Sequence, residues 1–250
     1  MFQLAAAASL AHEMSLECYA CPRPGSWVAE PDSCCLYEYV EKYKSNLFRN
    51  FHFVDEIPRP YTIYNEVAFG YHPLPHEANI CLHGYFQSER YFNKPLVRHL
   101  FQMEDSVRTR LEEKYGTLLR LHPISINVRR GDYLRVEDYH PVQPFSYFEA
   151  AIACLGADRH FLVTSDDTVW CRENFAGSNF HVIDDVTPVE NLYLQSMCYG
   201  HIISNSTYSW WGAWLDPKIN SPVVAPKRWF GPRLAHLSIA DLIPHGWDII

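Results

Sequence analysis

The 250 residues are 48% hydrophobic and 20% charged, enough apolar chain for one large core or two smaller ones. The net charge of -8 is spread along the chain with no block of Lys and Arg, which argues against a nucleic-acid partner. No run approaches the ~20 consecutive apolar residues needed to span a bilayer, and the opening Leu4 to Ala8 is short and lacks a basic leader, so the chain reads as soluble with no membrane segment.

Phe2 to His12 predicts a helix, because Ala and Leu are strong helix formers. A Pro/Gly/Ser/Trp segment from Cys21 to Ser33 breaks that pattern, and a second helix is expected from Cys35 to Tyr43, capped by Asp32 or Ser33. Phe48 to His76 is rich in aromatics and prolines and suggests short strands and turns. Asn79 to Phe86 reads as a strand. Pro95 to Tyr115 reads as one long helix with Leu96, Leu100, Met103, Val107 and Leu111 on one face.

After Gly116 the rhythm changes. Short apolar runs at Ile124 to Val128, His160 to Thr164, Phe180 to Ile183, His201 to Ser204 and Val223 to Ala225 alternate with helical segments around Phe145 to Cys154, Thr168 to Phe175, Val189 to Cys198 and Tyr208 to Leu215. This is the βαβα alternation of an α/β chain with a parallel sheet. The expected boundary lies near Gly116 to His122, giving units 1–120 and 121–250.

Of the eight cysteines, Cys81, Cys154 and Cys198 sit inside apolar runs, as small buried hydrophobes do. Cys18 and Cys21 have metal-ligand spacing, but the adjacent Cys34 and Cys35 do not reproduce the other half of a zinc site, so structural cysteines are expected and no metal.

Ligands of an open parallel sheet collect beyond the carboxyl ends of its strands, and three of those ends are polar. Arg129-Arg130-Gly131-Asp132-Tyr133 follows the first run. One guanidinium can grip a diphosphate while a carboxylate such as Asp132 holds the other, or the cluster is a surface salt bridge. Ser165-Asp166-Asp167 follows the second run. A carboxylate there can accept from the N1 and N2 edge of guanine, or cap the next helix. Ser204-Asn205-Ser206-Thr207-Tyr208-Ser209-Trp210-Trp211-Gly212 opens a helix whose first turn can hold a phosphate, or is simply capped. There is no phosphate loop, dinucleotide fingerprint or Asp-x-Asp metal clamp, so charge on a leaving diphosphate must be met by arginine and dipoles.

These residues carry a family resemblance. Ser125 to Tyr133 resembles the His-x-Arg-Arg-x-Asp motif of the GDP-fucose-using α-1,2-fucosyltransferases, with Asn127 in the histidine's place. Phe161 to Asp167 with Trp170, and Asn191 through the Ser-Trp-Trp-Gly block to Trp229, look like the next two family blocks, while Gly84-Tyr85-Phe86-Gln87-Ser88 and Met1-Phe2-Gln3 resemble its earlier ones. The resemblance implies a GT-B-like two-lobed architecture, an acceptor-side lobe followed by a GDP-fucose lobe. It implies metal-independent inverting transfer of fucose to the 2-hydroxyl of a galactose-terminated glycan, with GDP-fucose as co-substrate and no cofactor. Carried over residue by residue, Arg129 grips the β-phosphate, Asp132 holds the arginine pair, and Asp166 or Asp167 reads guanine. Ser206, Thr207 and Ser209 contact phosphate, Asn127, Arg130 and Asn205 complete the substrate site, and Glu137, ten positions after Asn127, stands where a more distant group of enzymes places a base. Relatives carry a strand and a Gly-x-Gly-Asn-Gln loop before Met-Phe-Gln, so the first lobe is expected to lack its first strand; a form that binds without turnover is the alternative. The resemblance places relatives in the cytoplasm of bacteria or at the Golgi membrane of animals.

Overall fold

The computed structural model describes residues 1–21, 40–57, 59–218 and 220–250. It divides into two compact units, Met1–Gln102 with Ser238–Pro244 and Met103–Leu237 with His245–Ile250. The architecture is α/β, with parallel strands and flanking helices in both units. The Cys21 to Ser33 segment after its first residue, the cysteine pair at 34 and 35 and the Asp32 or Ser33 cap lie outside the described residues, as does the expected second helix before residue 40.

In the first unit, helix α1 (Phe2–Glu13) buries Phe2, Ala5, Ala6, Ala8 and Leu10. Its Ser9 hydroxyl donates to the Ala5 carbonyl (2.7 Å) and accepts from the Asn93 amide (2.9 Å), so no polar group on the buried face goes unpaired. Two short parallel ladders follow, β1 (Tyr19–Ala20) with β2 (His52–Phe53) and β3 (Thr62–Asn65) with β4 (Ile80–His83).

The single long helix expected from Pro95 to Tyr115 is two. Helix α2 (Lys94–Leu100) is capped by Asn93, whose side chain accepts from Leu96 N (3.1 Å). It stops at Phe101, which is fully buried against Phe48 and Phe51, while Arg49 donates to the carbonyl of Gln102 (2.8 Å). Those contacts hold the chain out of helical conformation until α3 (Asp105–Leu119) begins. The unit boundary therefore falls after Gln102 and not near residue 120, and α3 belongs with the second unit. Arg110 of α3 pairs with Glu190 (2.7 Å), and Lys114 and Tyr115 both donate to Asp185. The return of residues 238–244 to the first unit is a long-range pairing: Asp241 takes Arg90 Nη1 (2.6 Å) and the Tyr71 amide (3.1 Å).

The second unit holds six parallel strands in the order β10 (Asp248–Ile249), β9 (Val223–Ala225), β8 (Gly200–Ile202), β5 (Ile124–Val128), β6 (Phe161–Ser165), β7 (Phe180–Ile183). Reversed, this is the doubly wound order 3-2-1-4-5-6, with its switch point between β5 and β8. Helices α4 (Phe145–Leu155), α5 (Thr168–Asn174), α6 (Pro188–Ser196) and α7 (Thr207–Trp214) connect them. Two of them start at side-chain caps, Asp167 on α5 and Thr187 with Glu190 as a capping box on α6, and Gly156 ends α4 at φ +102. All five β5 residues are buried, and Ile124, Ile126, Val128, Phe148, Phe161, Val163, Ile202 and Val224 form the core.

The tryptophans after Ser209 are core. Trp210, Trp211 and Trp214 lie at most 4% exposed and pack on one another, with Trp247 joining Trp210 at 5.6 Å. Gly212 lets α7 press on α6, since a Cβ there would meet Gln195 Oε1 at 2.7 Å. The cysteines divide: Cys171 and Cys198 are buried, and burial pushes the Cys171 thiol up to about 11. Cys154 is exposed, contrary to expectation, because α4 buries Tyr147, Phe148, Ala151 and Ile152 and Cys154 falls off that stripe.

Candidate active site

The switch point brings the end of β5 next to the end of β8, and most of the expected residues meet there. The Ser204 hydroxyl donates to the carbonyl of Asn127 (2.7 Å) and accepts from the amide of Arg129 (3.1 Å), tying the two strand ends together. Tyr133, from the short 3-10 turn Asp132–Arg135, donates its hydroxyl to the carbonyl of Asn205 (3.1 Å). Burial pushes the Tyr133 phenol up to about 12, with Arg129 opposing and Asp132 and Asp166 adding to the rise, so this donor stays protonated at any physiological pH.

The two arginines have different surroundings. Arg129 bridges two carboxylates, Nη2 to Asp132 (2.7 Å) and Nη1 to Asp166 (2.9 Å), with its guanidinium 5.3 Å from the centre of the Tyr133 ring. Arg130 is more enclosed: Nε donates to Asp167 (3.2 Å), and the guanidinium lies 4.3 Å over Trp170. Asp132 thus holds Arg129 alone, and Asp167 holds Arg130. Gly131 between them lets Asp166 approach, because a Cβ there would stand 2.7 Å from Asp166 Oδ2 and displace it. Arg129 still has three N-H groups to offer, one on each terminal nitrogen and one on Nε, which is what an oxyanion needs.

Asp166 and Asp167 play separate parts. Asp166 accepts from the backbone N-H of Arg130 (2.9 Å) as well as from Arg129. Asp167 uses one oxygen to cap α5 at Trp170 N (3.1 Å) and the other for Arg130. The capping role belongs to Asp167, and Asp166 is the carboxylate at the mouth of the arginine loop.

Asn127 and Ser209 meet each other. Asn127 is 5% exposed, donates to Thr164 Oγ1 (2.9 Å), its register partner on β6, and accepts from the Ser209 hydroxyl of α7. The amide pins α7 across β5 and β6, and both side chains are engaged within the protein. Asn205 is equally committed: its amide donates to the carbonyls of Pro141 (3.0 Å) and Trp229 (2.9 Å) and accepts from Gln143 (2.9 Å). Ser206 stands at the N-cap of α7 without making a side-chain cap bond, and Thr207 is exposed at the first turn. The first turn of this helix opens two residues after Asn205, whose carbonyl takes the Tyr133 hydroxyl of the arginine loop. Glu137 is exposed beyond the 3-10 turn and makes no ion pair among the described residues, so the structure does not bring it into the arginine cluster.

Sequence patterns did not single out Gln143, which donates to both Asn205 and the carbonyl of Arg228 (2.8 Å); an isolated glutamine carries no spacing signal. Nor did they reveal the buried chain Ser125–His201–Asp216, at 2.8 and 3.0 Å, completed by Lys218 on Asp216 (2.6 Å). Burial holds His201 below the usual histidine range against the opposing pull of Asp216. Asp216 is lowered despite its burial by bonds from His201, Lys218 and Ser221. The neutral ring thus donates from Nε2 to Asp216 and accepts from Ser125. These are the residue types of a hydrolase triad, but all three are at most 3% exposed, so they cross-link β5, β8 and the loop after α7.

Among the described residues no helix is long and apolar enough to cross a membrane. The family model for glycosyl transferase family 11 matches residues 37–236. Over 166 residues the chain is 31% identical to the O-antigen biosynthesis glycosyltransferase WbnK of Escherichia coli, covering 60% of this chain and 55% of that protein. It is 32% identical over 178 residues to an α-1,2-colitosyltransferase of Escherichia coli, covering 66% and 60%. It is 30% identical over 141 residues to galactoside α-(1,2)-fucosyltransferase 1 of Lagothrix lagotricha, covering 48% and 37%. The chain thus spans 60% or less of the length of these three relatives. With four fifths of its residues matched, this chain belongs to glycosyl transferase family 11.

Proposed function

We propose that this chain transfers L-fucose, or the colitosyl unit of a relative's reaction, from a GDP-sugar to the 2-hydroxyl of a galactose-terminated glycan, with inversion and without a metal. The observation that carries this reading is Arg129 at the carboxyl end of β5, held between Asp132 and Asp166 near the start of α7, whose N-cap Ser206 makes no side-chain cap bond. A diphosphate takes the remaining N-H groups of Arg129 and the amides at Thr207, so the charge that develops as GDP leaves is met by a fixed cation and a helix terminus. The acceptor oxygen attacks C1 of the sugar, the C1–O bond to the β-phosphate breaks, and the acceptor proton passes to a carboxylate. Glu137 is assigned that base on its position ten residues after Asn127. Asp166 is assigned the guanine edge. Asn127, Asn205 and Ser209 are positioning residues, because their side chains are already paired within the fold.

A second reading, binding of the GDP-sugar without turnover, draws support from Asn127, a neutral amide where the resembling motif has a histidine, here bonded to Thr164 and Ser209. Release of GDP from GDP-fucose with lactose present separates the two: release in EDTA supports transfer, while GDP binding without release supports the second.

A further inference from the structure

In the first unit, β3 and β4 run parallel and end side by side at Asn65 and His83, whose side chains meet at 2.9 Å between Oδ1 and Nδ1. The next residues are tightly constrained. Gly84 has φ +158, and a Cβ on it would stand 2.3 Å from the Cβ of Glu66. Glu66 accepts from the amides of Tyr85 (2.7 Å) and Phe86 (3.0 Å). Phe86 takes φ +52, a left-handed conformation that bulky residues avoid, and its ring is fully buried edge-on to Tyr91 at 5.5 Å. The consequence is that Tyr85 stands on a rigid mount, 69% exposed. A turn that only reversed the chain would need neither the strained Phe86 nor the carboxylate clamp.

The geometry points to a saccharide-binding site at the carboxyl ends of β3 and β4, with Tyr85 as the stacking platform and Asn65, Glu66 and His83 as its polar rim. A pyranose has one face of polarised C-H bonds, which packs on the electron-rich face of an aromatic ring. Its equatorial hydroxyls need donors and acceptors around that ring. The rim supplies an amide, an imidazole and a carboxylate whose two oxygens each keep a lone pair beyond the bond they accept. A phosphate-bearing ligand is disfavoured there by the charge of Glu66. The ligand class is a neutral galactose-terminated glycan, and this choice rests on the transferase reading above.

The test is saturation-transfer NMR of lactose with the full chain, run beside calorimetric titration of GDP on the same samples. Removing the ring in Tyr85→Ala weakens lactose binding about three- to tenfold, the range an aromatic face contributes. Tyr85→Phe stays within about twofold, since the face is kept. Both variants keep the wild-type GDP affinity and thermal midpoint. Lactose affinity unchanged in Tyr85→Ala, or no lactose binding by the wild-type chain, overturns the proposal. If GDP does not bind but lactose binding depends on Tyr85, the nucleotide-sugar reading fails and the saccharide site stands.

Discussion

Arg129 Nη1 stands 2.9 Å from Oδ2 of Asp166, and this bond joins the carboxyl ends of β5 and β6. It fixes a cation at the switch point of the sheet and leaves part of its fork open. Replacing Arg129 by Lys keeps the charge but loses the fork that lets one side chain bridge Asp132 and Asp166. Loss of one or two charge-assisted bonds to a diphosphate, about 1.5–3 kcal/mol each, lowers GDP affinity at least tenfold by calorimetry, and the thermal midpoint changes little because Arg129 is 36% exposed.

Gly131→Ala tests the same bond from the backbone side. The new methyl would sit 2.7 Å from Asp166 Oδ2 and push that carboxylate away from Arg129. GDP affinity falls by a similar factor. An unchanged titration would show that the carboxylate plays no part in setting the arginine.

Asn127→Ala separates positioning from contact. It leaves the buried Ser209 hydroxyl without its acceptor, while Thr164 keeps its bond to the Ile126 carbonyl (3.4 Å). Chemical denaturation therefore shows a loss of about 1–3 kcal/mol, the cost of one buried group left unsatisfied, larger than for either change at the arginine loop. A variant as stable as wild type would remove Asn127 from its cross-linking role.

The strand ends were legible in the sequence because a parallel sheet buried on both faces writes each strand as an apolar run. Ile124–Val128, Phe180–Ile183 and Val223–Ala225 fall where the pattern put them. The break between α2 and α3 was not legible, since it is set by Phe101 packing on Phe48 and Phe51 from a distant segment. Polar residue types pointed to the strand ends that converge at the switch point, yet could not say which side chains are already paired within the fold. Asn127, Ser209 and Asn205 read as ligand contacts and prove to be paired inside the fold, a distinction that depends on burial and partners.

His201 gives a pH prediction. Its folded pKa lies below the unfolded value because burial disfavours the cation, so as pH falls through about 6.5 the unfolded chain takes up the proton first. Stability is then fully present above that pH and declines below it. Thermal midpoints drop from pH 7 to pH 5, and His201→Gln flattens that slope while lowering the midpoint at pH 8. An equal slope in both proteins would place the acid sensitivity elsewhere.

The central claim, a nucleotide-diphosphate site built on Arg129 at the β5–β8 switch point, is tested most directly by calorimetric titration of GDP in EDTA into the wild-type chain and Arg129→Ala. The account predicts saturable binding by the wild type and at least a tenfold loss in the variant. Equal affinity in the two proteins, or no binding until a divalent metal is added, would contradict it.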